Sequence, residues 1–287
     1  NNKFEYKYYS EELVYLSKKW KEISNKYKEI EVSAFLLNLD KNKYAELEAS
    51  SKLPAASTIK IPILLTFLNL LDQGKINWND TLILKKDLIS TGSGWMAYEP
   101  IGKEFPIHEV AREMIRISDN TAANLLIHKI GGIASINKYL NQIGLKETSL
   151  NNYLPDIKGT NKTSARDLAI TIALIDNGTL LSLRSRDLFR EIMNDSKPNN
   201  LIPKGILKGL NSQKASDVDY ILSVKGYKVY NKSGNIGSSF ADAGLIQMPD
   251  NSRVAASFIV KGPLNDPRLP ELIRELAEAA ILAIKPK

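Results

Sequence analysis

Three short stretches of the chain pair a hydroxyl with a cationic or amide side chain at a spacing that supports chemistry. In Ser57-Thr58-Ile59-Lys60 a serine and a lysine stand three positions apart. On a helix two such residues share a face, so the amine can reach the hydroxyl. A lysine that is desolvated or held near other cations loses its proton and can serve a nucleophilic serine as base. The backbone N–H groups of a helix start add an oxyanion site. The same residues equally describe a capped, solvated helix, and Ser135-Ile136-Asn137-Lys138 repeats the pattern. Alone, the pattern decides nothing.

Ser118-Asp119-Asn120 lies between two helical runs. It reads as an N-cap for a helix beginning near Thr121, or as a hydroxyl for proton relay beside an amide for substrate binding. Ser149-Leu150-Asn151 matches the looser form. Lys232-Ser233-Gly234 ends a strand-like run and is the only Lys-[Ser/Thr]-Gly in the chain. Its glycine either relieves a bend or lets a ligand approach the backbone, with the cation and hydroxyl facing a carboxylate.

The elements that must hold these groups can be read from periodicity. Leu13, Leu16, Trp20, Ile23 and Tyr27 predict an amphipathic helix over 10–28. Two strands follow, Val32 to Leu39 and Tyr44 to Ala49, joined by a turn at Asp-Lys-Asn-Lys. From Ser57 to about Lys214 the pattern is mainly helical, with runs at Ile61–Leu71, His108–Ile117, Thr121–Ile130 and Ala165–Ile175. Strands return at Tyr227–Asn231, Ala243–Met248 and Val254–Val260, and a helix closes the chain from Pro270 to Ile284. The expected class is α+β. Both chain ends would join in one mostly antiparallel sheet flanked by N- and C-terminal helices, with an all-helical lobe inserted. About 1–56 and 215–287 form the α/β lobe, about 57–214 the helical lobe, and the cleft between them is the natural site.

Composition removes several function classes. With 287 residues, 43% hydrophobic and 25% charged, the chain can bury a substantial core. Its net charge of +7 comes from scattered lysines, with no basic cluster alternating with aromatics, so a nucleic-acid partner is not expected. Zero Cys excludes disulfides and thiol nucleophiles, and only His108 and His128 could offer imidazole. A zinc hydrolase and a Ser-His-Asp triad are both disfavoured, and no cofactor or metal is expected. The longest apolar run, Ile61–Leu71, is broken by Pro62 and Asn69 and falls well short of the roughly 20 residues a membrane span needs. No signal peptide is visible.

In order and in context, the three stretches resemble the motif set shared by class A β-lactamases and penicillin-binding proteins. The likeness extends through Ser118-Asp119-Asn120-Thr121-Ala122-Ala123-Asn124-Leu125-Leu126, then Gly131-Gly132, and through Asn177-Gly178-Thr179-Leu180-Leu181-Ser182, covering about 31–284. The resemblance implies that Ser57 is the acylated nucleophile and Lys60 its base or relay. It implies that Ser118 passes a proton to the leaving nitrogen and that Asn120 binds the acylamino side chain. Lys232 and Ser233 would engage the substrate carboxylate, next to Gly234. Asn235 and Ser57 would supply the oxyanion-hole N–H groups, and Trp95 would either wall the cleft or sit in the core. It also implies a monomer, periplasmic or extracellular, acting on a small-molecule β-lactam or peptidoglycan-like substrate.

The chain departs from that family in two places. Aligning Thr148-Ser149-Leu150 and Thr163-Ser164-Ala165-Arg166-Asp167-Leu168-Ala169 with the flanks of the family's Ω-loop leaves a short segment, 152–161. Leu154, followed by Pro155, falls where the deacylating glutamate should be. Glu147 fits the motif only several residues early, and Asp156 is the other nearby carboxylate. Beyond Gly234 the turn is short and lacks an arginine, leaving the carboxylate to Lys232, Ser233 and Ser239. The expected function is acyl transfer through Ser57 with slow deacylation. The alternatives are a penicillin-binding D,D-peptidase or esterase, and a β-lactam sensor that acylates once.

Overall fold

The computed structural model describes residues 11–212 and 217–286. In chain order the elements begin with β1 (Glu11–Glu12), α1 (Val14–Ser24), β2 (Glu31–Asn38), β3 (Lys43–Leu47), β4 (Leu53–Pro54) and α2 (Lys60–Asp72). Then come β5 (Thr81–Ile83), β6 (Glu104–Pro106), α3 (Ile107–Arg116), α4 (Asn120–Ile130), α5 (Gly132–Gln142), β7 (Lys162–Thr163) and α6 (Ala165–Asp176). The chain continues through α7 (Leu183–Asn194), α8 (Ile202–Gly209), α9 (Val218–Val224), β8 (Lys228–Asn235), β9 (Ser239–Gln247), β10 (Arg253–Lys261) and α10 (Arg268–Ile284).

Six strands form one sheet in the order β1-β3-β2-β10-β9-β8, antiparallel except for the short β1–β3 pair. The central pairing joins the two ends of the chain: β10 lies against β2 in the register Phe258↔Ala34 and Val260↔Val32. Successive strand residues point to opposite faces. Ala34, Leu36, Phe258 and Val260 enter a core with α1, α8 and α10. Phe35, Leu37, Ala255 and Ile259 enter a second core with α2 to α7. Because both faces are covered, β2 and β10 read as apolar runs, each broken by one buried serine (Ser33 and Ser257), rather than alternating ones.

The α+β class and the antiparallel sheet are as the sequence predicts, with shifted boundaries. The first helix is shorter than 10–28, because β1 pairs with β3 before it begins. The strand expected to stop at Asn231 runs on to Asn235, so Lys232-Ser233-Gly234 lies inside β8 instead of ending it. β8 stays paired with β9 through Asn235↔Phe240, which keeps the segment extended. The expected lobe boundary near 214–215 lies outside the described residues. No helix among the described residues is long and apolar enough to cross a membrane.

Trp20 ties the terminal helices to the sheet. It is fully buried, donates from Nε1 to the Leu276 carbonyl at 2.9 Å, and meets Phe258 edge-on with centroids 5.5 Å apart. Trp20→Ala should cost about 3–5 kcal/mol in urea unfolding, through the lost burial and the cavity it leaves.

Candidate active site

Ser57 sits on a 3₁₀ turn, Ala56–Ile59, that runs straight into α2, where Lys60 is the first residue. The turn is packed against β8 at one point. A Cβ built on Gly234 would fall 2.3 Å from the Ser57 nitrogen and 2.9 Å from the Ala56 Cβ. Only glycine lets the strand reach this close to the serine backbone. The feature that the sequence read as strand-bend relief or ligand approach is therefore a strand-to-turn contact.

Ser118 and Asn120 arrive from the other side. Asp119 caps α4, accepting from the Ala122 N–H at 2.9 Å, as the N-cap reading expects. Its second oxygen accepts from the Trp95 and Met96 N–H groups at 2.8 and 3.0 Å. That carboxylate fills the space a side chain on Gly94 would need, since a Cβ there would lie 2.0 Å from it. With Asp119 turned into the cap, Ser118 is held in the left-handed region, φ 60°, where few residues without special cause are found. Its hydroxyl faces Lys60.

Lys60 joins the three motifs. Its Nζ lies 3.3 Å from Ser57 Oγ, 2.9 Å from Ser118 Oγ, 2.6 Å from the Ser118 carbonyl and 2.9 Å from Asn120 Oδ1. The side chain is completely buried. Burial chiefly, and the Lys232 charge next, hold its amine well below the ordinary lysine range, with Asp119 opposing. The Asn120 amide nitrogen donates to the Thr91 carbonyl at 3.0 Å, so its oxygen is the atom turned to Lys60. A carbonyl and a carboxamide oxygen can only accept. They take both N–H bonds of a neutral Lys60, and its lone pair is left for a hydroxyl proton. The arrangement can therefore deprotonate a serine.

Lys232, also buried, donates to the Ser233 carbonyl at 2.8 Å. Burial lowers it to about 8 while Asp242 pulls the other way, so it keeps its charge at neutral pH. Ser57, Ser118, Lys232, Ser233, Gly234 and Asn235 all line one cleft of about 280 Å³, and Lys60 and Asn120 are bonded to its serines or to one another behind it. Ser93 lines the cleft too. Trp95 does not: it donates to Glu113 at 2.7 Å and packs edge-on against Phe105. Ser239 is likewise core, its hydroxyl donating to the Val260 carbonyl at 3.0 Å, and does not line the cleft. Ser135, the second SxxK serine, bonds its own helix at Gly131.

No carboxylate lines the cleft among the described residues. Glu147 is engaged with Asp167, to which its N–H donates at 2.9 Å. Burial, with Glu147 nearby, pushes Asp167 up to about 7. Asp156 is buried and turned inward, accepting from the Thr160 N–H and hydroxyl and from the Asn161 N–H. Leu154 is buried, and its backbone is bracketed by one side chain of α4: Asn124 accepts from its N–H at 2.9 Å and donates to its carbonyl at 2.8 Å. Asn124 lies one turn beyond Asn120, so residue 154 is fixed alongside the site. Asn161, fully buried, closes the segment by accepting from the Asn151 and Asn152 N–H groups at 2.7 and 2.9 Å. Sequence reading missed Asn124, Asn161 and Asp242. Each is a polar residue in an ordinary-looking run, and only its burial distinguishes it.

Comparison with known proteins agrees with this geometry. Beta-lactamase CARB-3 of Pseudomonas aeruginosa is 27% identical over 208 residues, 68% of this chain and 72% of that one. The structure of PBP-A superposes with a TM-score of 0.87 at 36% identity, over 95% of this chain and 96% of that one. A leucine-to-glutamate variant of PBP-A, captured as an acyl-enzyme with penicillin G, matches at 35% identity and TM-score 0.87, over 95% and 97% of the two chains. The family described as "Beta-lactamase enzyme family" matches residues 15–284. With that match spanning nearly the whole length, the chain belongs to the β-lactamase enzyme family, of the class A type.

Proposed function

We propose that the chain is a class A β-lactamase-like serine hydrolase that opens β-lactam rings through a Ser57 acyl-enzyme and releases the acyl group slowly. The bonding of Lys60 carries this reading. In its neutral form the two N–H groups go to the Ser118 carbonyl and the Asn120 oxygen, which leaves the lone pair for the hydroxyls of Ser57 and Ser118. Ser57 Oγ attacks the lactam carbonyl carbon as its proton passes to Lys60. The oxyanion that forms is held by the backbone N–H groups of Ser57 and Asn235. As the C–N bond breaks, the proton travels from Lys60 through Ser118 to the departing nitrogen. Lys232 and Ser233 hold the substrate carboxylate, and Asn120 its acylamino group. The enzyme acts as a monomer outside the cytoplasm, as the family resemblance implies.

Deacylation needs a water activated by a base, and Leu154 offers none. The placement of Glu147 at Asp167, and of Asp156 inside its own loop, supports the alignment that puts Leu154 at the glutamate position. That a leucine-to-glutamate variant of PBP-A was captured with penicillin G makes the same substitution here an informative one. The lack of a carboxylate in the cleft among the described residues also favours a second reading, a D,D-peptidase or esterase with a peptidoglycan-like substrate.

Intact-protein mass spectrometry after penicillin exposure should show one adduct, on the Ser57 peptide, and none in Ser57→Ala. Lys60→Ala should slow adduct formation by about 10²–10⁴-fold; an unchanged rate would reassign the base.

The pH profile should be bell-shaped. Acylation by a carboxylate-bearing β-lactam rises with pH as Lys60 loses its proton, then falls as Lys232 loses its charge at about 8. Lys232→Arg should abolish the alkaline limb, because a guanidinium stays charged throughout.

Stopped-flow traces with a chromogenic cephalosporin should show a burst of about one equivalent and a steady state slower by roughly 10²–10⁴. Glu147→Gln should leave that steady state unchanged, and Leu154→Glu should raise it. Steady turnover that collapses in Glu147→Gln would mean the loop has a base after all. Cleavage of D-Ala-D-Ala peptides with no β-lactam reaction would select the peptidase reading.

A further inference from the structure

A second groove, of about 870 Å³, adjoins the catalytic cleft. β8 is the last strand of the sheet, so one of its edges has no strand partner. Tyr227, Lys228, Val229 and Tyr230 line the groove, and Lys232, Ser233, Gly234 and Asn235 line the cleft. Consecutive residues line both, so what the two share is the strand's free edge rather than one of its faces. Lys197 lines both as well, and its N–H donates to the Arg116 carbonyl at 2.8 Å. Arg116 lines the groove, and Ser118, two residues on, lines the cleft. The groove therefore leaves the cleft at its Ser118 and Lys232 end, away from Asn235. With Ser57, Lys232 and Asn235 in their proposed roles, the acyl group lies toward Asn120 and Asn235. The departing nitrogen lies at Ser118 and its carboxylate at Lys232. The groove continues the path of the leaving group.

The groove carries charges of both signs. Most of them have partners: Arg116 bonds Glu113, Arg190 pairs with Asp176, Glu191 with Arg112 and Lys197 with Asp219. Asp195, after α7, and Lys228, at the start of β8, are exposed and have no ion pair among the described residues. Asp195 feels the Arg116 charge without pairing with it. A ligand in the groove can therefore bring one charge of each sign. The acyl-enzyme meets this path with no carboxylate to activate water among the described residues that line the cleft. What it retains is the relay of Lys60 and Ser118, which delivers a proton to the departing nitrogen. Run backwards, the same relay takes a proton from an amine arriving at that position.

We propose that the groove is the acceptor site for a second substrate, a primary amine on a charged amino acid or short peptide, which releases the acyl group by aminolysis. The inference rests on the reading of Ser57 as the acylated nucleophile. The amine nitrogen attacks the ester carbonyl carbon as its proton passes through Ser118 to Lys60. The C–N bond forms, the bond to Ser57 Oγ breaks, and Lys60 returns the proton to Oγ. A β-lactam blocks this exchange, because its departing nitrogen stays tethered to the acyl group and keeps its carboxylate at Lys232.

The test uses a thioester donor, N-benzoyl-D-alanyl mercaptoacetate, whose thiol leaves the site, and two acceptors, glycinamide and glycyl-arginine. Both offer a glycyl amine, and only the second adds a side-chain cation and a carboxylate. Mass spectrometry separates the hydrolysed acid from the amide product. Glycyl-arginine should give saturable amide formation, about tenfold faster than glycinamide at equal concentration, as two exposed ion pairs allow. Lys228→Ala and Asp195→Ala should each raise the KM for glycyl-arginine about two- to fivefold. Ser223→Trp, which fills the groove from α9, should raise it by about tenfold or more. Donor acylation, which precedes acceptor entry, and the rate with glycinamide should not change. Equal amide formation from the two acceptors, groove variants that leave glycyl-arginine unaffected, or acid as the sole product would each overturn the proposal. Donor turnover that is absent, or that survives Ser57→Ala, would instead overturn the nucleophile reading, and that is measured first.

Discussion

The site depends on burying a lysine that has no carboxylate in contact. An ammonium ion taken from water into a dry interior costs far more than hydrogen bonds to neutral groups return. The group responds by giving up its proton. Every polar neighbour of Lys60 is compatible with that neutral state. The Ser118 carbonyl and the Asn120 carboxamide absorb its two N–H bonds, and the serine hydroxyls meet its lone pair. A salt bridge at the same place would stabilise the cation and silence the base. Asp119, the nearest acid, instead spends its oxygens on the Trp95, Met96 and Ala122 N–H groups.

That requirement reaches into the backbone on both sides. Ser118 is held at positive φ because the Asp119 cap and the Lys60 bonds demand it together. The unfavourable conformation is offset by a helix cap and by two contacts to a buried amine. Across the cleft, β8 must lie almost in contact with the turn carrying Ser57, and Gly234 is the one residue that permits it. The sheet supplies the rigidity. β8 is registered on β9, β9 on β10, and β10 on β2, so Lys232, Ser233 and Asn235 inherit their positions from the central pairing of the chain's two ends.

Much of this was legible in the residues. The helix and strand runs follow from the spacing of apolar side chains, and Ser57, Lys60, Ser118 and Lys232 follow from motif order. Trp95 reads equally as cleft wall or core, because an aromatic beside a loop looks the same whether it faces solvent or Phe105. Ser239 was offered to the substrate because a hydroxyl near a motif is indistinguishable from one tied to Pro54 and Val260. The contacts of Asn124, Asn161 and Asp242 are not legible in the sequence, since their importance comes from burial. Their roles depend on contacts across 30, 10 and 40 positions of the chain, to Leu154, Asn151 and Ile202. No local pattern encodes such distances.

The joining of β2 to β10 has a consequence for when the molecule becomes reactive. These strands lie at opposite ends of the chain, and contacts so distant in sequence form late in folding. Until they form, β8 has no fixed place, Gly234 does not meet Ser57, and Lys60 lies in water as an ordinary ammonium. An unfolded or half-folded chain therefore carries a serine with no base and no oxyanion hole. On the proposed reading of Ser57 as nucleophile, the reactive site is assembled only as the fold is completed.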